Sequence, residues 1–337
     1  MPLPRSTWLR AALAAVTLTA AALPAAADVP AAERDALVAL YQSTNGAGWT
    51  DSTNWLSGDP CGPAPWFGVV CGGGPVEHHV REIHLSANNL AGSVPGLSAF
   101  TALERINLSD NALSGPVPSL AGLNALVGFW ADNNQFSGYL PDISTLPALG
   151  FFYMNNNQLI GPIPDISGMT TLIDFRVSTN RLTGTPPAPP ASLNPGGSSL
   201  CPNYLHAPSP DDAAWSAATG ELDWSRWCTP GYLVAASAGS GGSISPTPGS
   251  AVLPGETASF TLVAAAGYRV GSVTSSCGGT LAGDTFTTGP VTADCTVTAA
   301  FSALAVPTAV PTLAEGALAL LGGLMAALGL RRLRRRA

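Results

Sequence analysis

The chain contains no lysine, and charged residues make up only 10% of its 337 positions, against roughly 25% in an ordinary soluble domain. So little charge excludes a disordered polyelectrolyte. The basic residues, 14 in all, are every one Arg; Arg5, Arg10 and the five at Arg331, Arg332, Arg334, Arg335 and Arg336 lie in the terminal segments. Residues 28–309 therefore hold seven Arg against 20 acids, a net 7 − 20 = −13. That balance repels phosphate backbones and excludes a nucleic-acid partner. Without Lys there is no Gly-x-x-x-x-Gly-Lys loop, and neither Gly-x-Ser-x-Gly nor His-Glu-x-x-His occurs. Asp211-Asp212 and Glu221 with Asp223 pair carboxylates without a nucleophile or acid partner at defined spacing, so no catalytic residue is assigned and the chain is read as non-enzymatic. His78, His79 and His84 cluster with Glu77 and Glu82, but adjacent histidines on an extended segment point to opposite faces. They read as exposed polar residues at a junction, and no metal or cofactor is expected.

What is present begins with the two ends. Arg5 and Arg10 precede an apolar run, Ala11 to Leu23, and then Pro24-Ala25-Ala26-Ala27, the order of a secretory signal cut by signal peptidase after Ala27. Export permits disulfides. At the other end, an apolar stretch runs from Gly316 to Leu330; counted from Leu313, and interrupted there by Glu315, it gives about 18 residues, the short limit for a transmembrane helix, and the five Arg after it hold that end in the cytoplasm. Val310-Pro311-Thr312-Leu313, the helix and the Arg tail resemble the IPTL type of C-terminal sorting signal. Val310 stands for the usual Ile, and Gly316 stands where an aromatic is expected. The resemblance implies a bacterial, surface-displayed protein handled by an exosortase-like sorting enzyme.

Between the ends lies a repeat. Asn88, Asn111, Asn134, Asn157 and Asn180 recur every 23 residues, each followed by Gly at plus four and Pro at plus seven. Apolar pairs at minus five and minus three (Ile83/Leu85, Ile106/Leu108, Phe129/Ala131, Phe152/Met154, Phe175/Val177) have the period of a strand, so they enter a core while the residues between them face out. Each Asn is placed to bond backbone groups of neighbouring coils that would otherwise be buried unpaired. The pattern L-x-x-N-x-L-x-G-x-[VLI]-P resembles the plant-specific class of leucine-rich repeats, one residue shorter than that class's common unit. That resemblance implies an α/β-type solenoid of five repeats, capped at both ends, with ligands such as peptides, proteins or cell-wall polysaccharide. Helical spacing over residues 32–43, then Trp49, Trp55, Asp59-Pro60-Cys61, Trp66 and Cys71, resembles the N-terminal cap of the same class, its Trp residues forming cap core.

Six cysteines allow fifteen connectivities, but they fall by position into Cys61/Cys71, Cys201/Cys228 and Cys277/Cys295, and local pairing keeps each module independent. The Pro-rich stretch 186–195 marks a loose join to the C-terminal cap. Residues 230–303 read as short strands over 232–236, 258–263, 268–273, 285–288 and 296–301. Gly267-Tyr268-Arg269-Val270 and the sequences around Cys277 and Cys295 resemble internalin B-repeats, which implies a small all-β stalk. The expected organisation is signal peptide 1–27, cap 28–79, repeats 80–189, cap 190–229, β module 230–303, linker 304–309 and sorting segment 310–337.

The outward strand positions carry the functional expectation. Trp130, Tyr153 and Phe151 come together in the middle repeats, ringed by Arg105, Arg176, Asp132, Asn155, Asp174 and His84, the composition of a hot spot with a polar rim. The concave face is therefore expected to bind a protein, peptide or oligosaccharide. A structural envelope or matrix role without ligand is the alternative reading, and a polysaccharide-acting enzyme the remotest.

Overall fold

The computed structural model describes residues 29–72 and 78–305, together with 320 and 323–325. The expected signal peptide, the expected sorting motif Val310 to Leu313 and most of the C-terminal apolar stretch lie outside those residues. Among the described residues, no helix is long and apolar enough to cross a membrane.

The 23-residue period builds a leucine-rich-repeat-like solenoid. Strands His79–His84, Arg105–Asn107, Gly128–Trp130, Phe151–Tyr153 and Asp174–Arg176 pair in parallel, each residue against the one 23 later. Val69–Gly72 of the N-terminal cap closes this first sheet by pairing antiparallel with His79–His84. A second sheet runs through Ala91–Gly92, Ala112–Pro116, Gln135–Gly138, Gln158–Gly161, Arg181–Gly184 and Tyr204–Leu205. All five expected apolar pairs are buried between the sheets. Phe129, Phe152 and Phe175 stack in a column, with centroids 5.7 and 5.9 Å apart, which ends on Trp215 of the helix Asp212–Thr219 at 6.4 Å.

The asparagines form the internal rungs that their spacing implies. Asn111, Asn134, Asn157 and Asn180 accept from the N–H of Leu90, Leu113, Phe136 and Leu159, and donate to carbonyls of their own and the preceding coil. The row has a further rung, Asn203, which accepts from Leu182 N–H and donates to Val177 and Leu200. The Pro-rich stretch, expected as a loose join, is tied down instead: Pro187 O accepts from Trp215 Nε1, and Ser192 Oγ donates to Leu172 O. The coil continues because its backbone still finds partners in the coil before it.

One position of the coil imposes a backbone cost. The residue before each repeat asparagine is left-handed: Ala87, Asp110, Asn133, Asn156 and Thr179 all have φ between 51° and 59°. Asn tolerates that region, whereas a β-branched residue does not. Asn156 Nδ2 also donates to Asn133 Oδ1, and Asn133 Nδ2 to Asp110 Oδ1. Thr179→Asn is therefore expected to stabilise the solenoid by about 1 kcal/mol, seen as a raised denaturant midpoint. An unchanged or lower midpoint would show that Thr179 is not strained.

At the N-terminal end, helix Ala31–Ser43 buries Leu37 and Leu40, and Trp49, Trp55 and Trp66 pack below it with successive centroids 4.7 and 5.0 Å apart. The expected exposed polar junction differs in one respect. Glu33 is only 2% exposed; its Oε2 accepts from Val80 N–H at 2.7 Å, and its Oε1 meets His79 Nδ1 at 2.7 Å. The cap helix is thereby fastened to the first repeat strand, and His79 has a structural role. Disulfides join Cys61 to Cys71, Cys201 to Cys228 and Cys277 to Cys295.

The β module is two four-stranded sheets around Phe260, Leu262, Phe286 and Val297. Its five expected strands are present, joined by Gly242–Ser245, Gly249–Val252 and Thr280–Ala282, segments rich in Gly, Ser and Ala that carry little strand signal. The module meets the solenoid at the second sheet. Thr247, Ser250 and Ala251 lie beside Ser137, Gln158 and Arg181, and His206 Nε2 is 2.7 Å from Gly231 O. The outward face of the first sheet lies elsewhere.

Candidate functional site

Strand register assembles the site. Because residue i pairs with i+23, Glu82, Arg105, Gly128, Phe151 and Asp174 form one row across the first sheet, and His84, Asn107, Trp130, Tyr153 and Arg176 form the next. Buried neighbours on either side, such as Phe129 and Phe152, force both rows outward. Trp130 stacks on Phe151 at 5.8 Å and 24°, and meets Tyr153 edge-on at 6.1 Å. All three rings are half-buried, where the sequence alone gave them as exposed.

Most of the polar rim is paired internally. The Tyr153 hydroxyl donates to Asp174 Oδ2 at 2.7 Å, and the Arg176 guanidinium lies 4.5 Å from the Tyr153 ring centroid, with its Nη2 3.5 Å from the same carboxylate. Arg176 Nε also donates to Gly197 O. At the other end of the strip Glu82 accepts from Arg105 at 2.6 Å and meets His84 Nε2 at 2.6 Å; these bonds, that of His84 foremost, hold its carboxyl below the usual value. Asp132 accepts from Ser109 Oγ at 2.6 Å and Asn133 Nδ2 at 2.9 Å. Asn155 occupies the matching place one coil on, beside Tyr153. Of the nine expected site residues, the rings with Arg176 and Asp174 make one connected cluster, Asp132 and Asn155 flank it, and Arg105 and His84 form a separate group around Glu82.

One component escaped sequence reasoning. Gly128 stands in the outward row without a side chain of its own, and a Cβ there would lie 2.0 Å from Cη2 of Trp130. The missing side chain is what lets the indole lie down along its own strand.

Burial, followed by the hydrogen bond to Asp174, pushes the Tyr153 phenol up to about 12. The raised value means the fold favours the neutral phenol, so its contribution is present below about pH 10 and is lost as pH rises towards about 12. In a phenolate absorbance titration, native protein minus Tyr153→Phe is expected to differ only above about pH 11. A difference appearing near pH 10 would contradict the enclosed geometry.

Residues 232–305 match the Divergent InlB B-repeat domain, and residues 308–335 match the IPTL-CTERM motif. The chain matches no curated protein. Among solved structures it is similar to a pollen receptor kinase 3 at 30% identity, with a TM-score of 0.43 over 50% of this chain and 83% of that one. It is also similar to the LRR ectodomain of the receptor kinase SOBIR1 from Arabidopsis thaliana at 21% identity, with a TM-score of 0.40 over 47% of this chain and 85% of that one. A third is the Arabidopsis receptor kinase HAESA, solved with the peptide hormone IDA and the co-receptor SERK1, at 19% identity and a TM-score of 0.46 over 63% of this chain and 39% of that one.

Proposed function

We propose that this chain is an exported, surface-displayed recognition protein that binds a peptide, protein loop or oligosaccharide on the outward face of its first sheet, without catalytic turnover. The observation that carries the reading is the cluster of Trp130, Phe151 and Tyr153, three large rings on a face otherwise lined by polar side chains. Large rings with a polar rim are the usual composition of an energetic hot spot. Five parallel strands at about 4.8 Å spacing make a strip on the order of 24 Å long, which suits a peptide or short glycan better than a standard protein interface. The IPTL-CTERM match supports display at the cell surface. In this reading the segment after residue 310 is the membrane anchor and substrate of an exosortase-like enzyme, its Arg tail on the cytoplasmic side before processing.

The test is binding of the whole chain and of a Trp130→Ala/Tyr153→Ala variant of equal thermal stability to immobilised glycans and peptides. The variant is expected to lose at least about 2 kcal/mol, roughly thirtyfold in Kd. Equal binding by both proteins would move the site off this face, and a blank panel would favour a structural envelope role.

A further inference from the structure

The details of the recognition face narrow its ligand. First, the Trp130 indole leans along its own strand into the space that a side chain at position 128 would fill, and Phe151 packs beside it with the ring planes 24° apart. Half-buried rings of this kind offer aromatic surface on which a ligand can stack. Second, both guanidiniums of the face are already matched, Arg105 with Glu82 and Arg176 with Asp174, while Asp132 meets only the neutral donors Ser109 and Asn133. A phosphate, uronate or acidic peptide would have to displace one of those carboxylates, and a basic peptide would find Asp132 as its one carboxylate without a cation. Third, hydrogen-bonding capacity remains beside the rings. Among the described residues the Asn155 carboxamide has no hydrogen-bond partner, so it keeps both its donors and its acceptor. Asp132, one coil away at about 4.8 Å spacing, has one protein donor on each oxygen and lone pairs to spare.

Resting on the recognition reading above, we propose that the ligand is a neutral oligosaccharide whose apolar sugar face stacks on Trp130 and Phe151 while adjacent hydroxyls bond Asn155 and Asp132. A pyranose has this division, with C–H groups on its faces and hydroxyls around its rim. An amide that both donates and accepts, next to a carboxylate that accepts, reads neighbouring hydroxyls without needing net charge. Gly128 is then a positioning residue: it touches no ligand and acts by letting the indole lean along its strand.

The whole chain is screened against neutral oligosaccharides, uronic-acid oligosaccharides and peptides, and any hit is titrated calorimetrically at about 0.05 and 0.5 M salt. Neutral glycans are expected to bind, with Kd changing less than about twofold between the two salts because no ion pair forms. Trp130→Ala is expected to weaken binding at least about tenfold, and Asn155→Ala about fivefold. Gly128→Ala should match Trp130→Ala: the residue has no positive φ, so its backbone accepts Ala, while the new methyl evicts the ring. Asn155→Ala keeps the test open should Gly128→Ala fail to fold. Binding confined to peptides or acidic glycans, and lost in Trp130→Ala, overturns the sugar assignment and leaves the recognition face standing. Neutral-glycan binding untouched by Trp130→Ala and Gly128→Ala, or no binding at all, overturns both.

Discussion

Asn157→Ala is expected to destabilise the solenoid by about 3 kcal/mol, a large share of the total stability of a typical domain. Its Oδ1 accepts from Phe136 N–H at 2.8 Å, and its Nδ2 donates to Ala131 O and Met154 O at 3.0 and 3.1 Å. Ala removes all of these at once, and a buried backbone group left without a partner costs about 1–3 kcal/mol, more than the net worth of the bond itself. The loss is less than the sum of three orphans because Ala131 O still receives Asn134 Nδ2 and Met154 O still receives Asn180 Nδ2. Phe136 N–H has no such second partner among the side-chain rungs, so it dominates. The control is Asn156→Gly, one residue earlier, where the side chain is exposed and Gly fits φ 55° without strain. Its cost is expected to stay below about 0.5 kcal/mol. Chemical denaturation separates the two, and a loss under about 1 kcal/mol for Asn157→Ala would sink the rung as a stabilising device.

These asparagines are also where the sequence was most informative. A 23-residue spacing held in three registers through five turns specifies parallel pairing, register and inward faces, and every apolar pair it implied is buried. Asn203 continues the same spacing, with Leu200 and Leu205 at the right offsets, but Ala207 replaces the Gly and Ser198 the apolar residue at minus five. Those two changes hide the rung, although the side-chain amide works unchanged. The two outward rows were equally legible, because period-two alternation decides which side chains leave the core. What lay beyond reach were relations between side chains of different coils. Nothing in the order of residues states that Arg176 turns onto Tyr153 rather than into solvent, or that Trp130 uses the vacancy at Gly128. Glu33 was missed for another reason: an acid in the first turn of a helix is ordinarily a solvated residue, and only the arrival of the strand His79–His84 makes it a buried acceptor.

The other large effect is expected at the far end of the phenylalanine column. A stacked solenoid holds each coil by its neighbours, so the last coil is secure only if something covers it. Trp215 does so: it is fully buried, its ring lies 6.4 Å from Phe175, and its Nε1 donates to Pro187 O at 2.8 Å. Trp215→Ala removes the cover and opens a cavity, at an expected cost of about 3–5 kcal/mol. Trp215→Phe keeps the ring contact and loses the hydrogen bond, so about 1–2 kcal/mol is expected there. The location of the damage is more diagnostic than its size. With nearest-neighbour coupling, amide hydrogen exchange in Trp215→Ala should quicken first in residues 174–205, beside the freed end, while the coil of Phe129 keeps its protection. Because Asp174 and Arg176 hold Tyr153 in place, the variant should also weaken any ligand that depends on that ring, even though Trp215 stands outside the site. Exchange that quickens evenly from Ile83 to Val177 would mean that the coils unfold as one unit and that the cap secures no particular end.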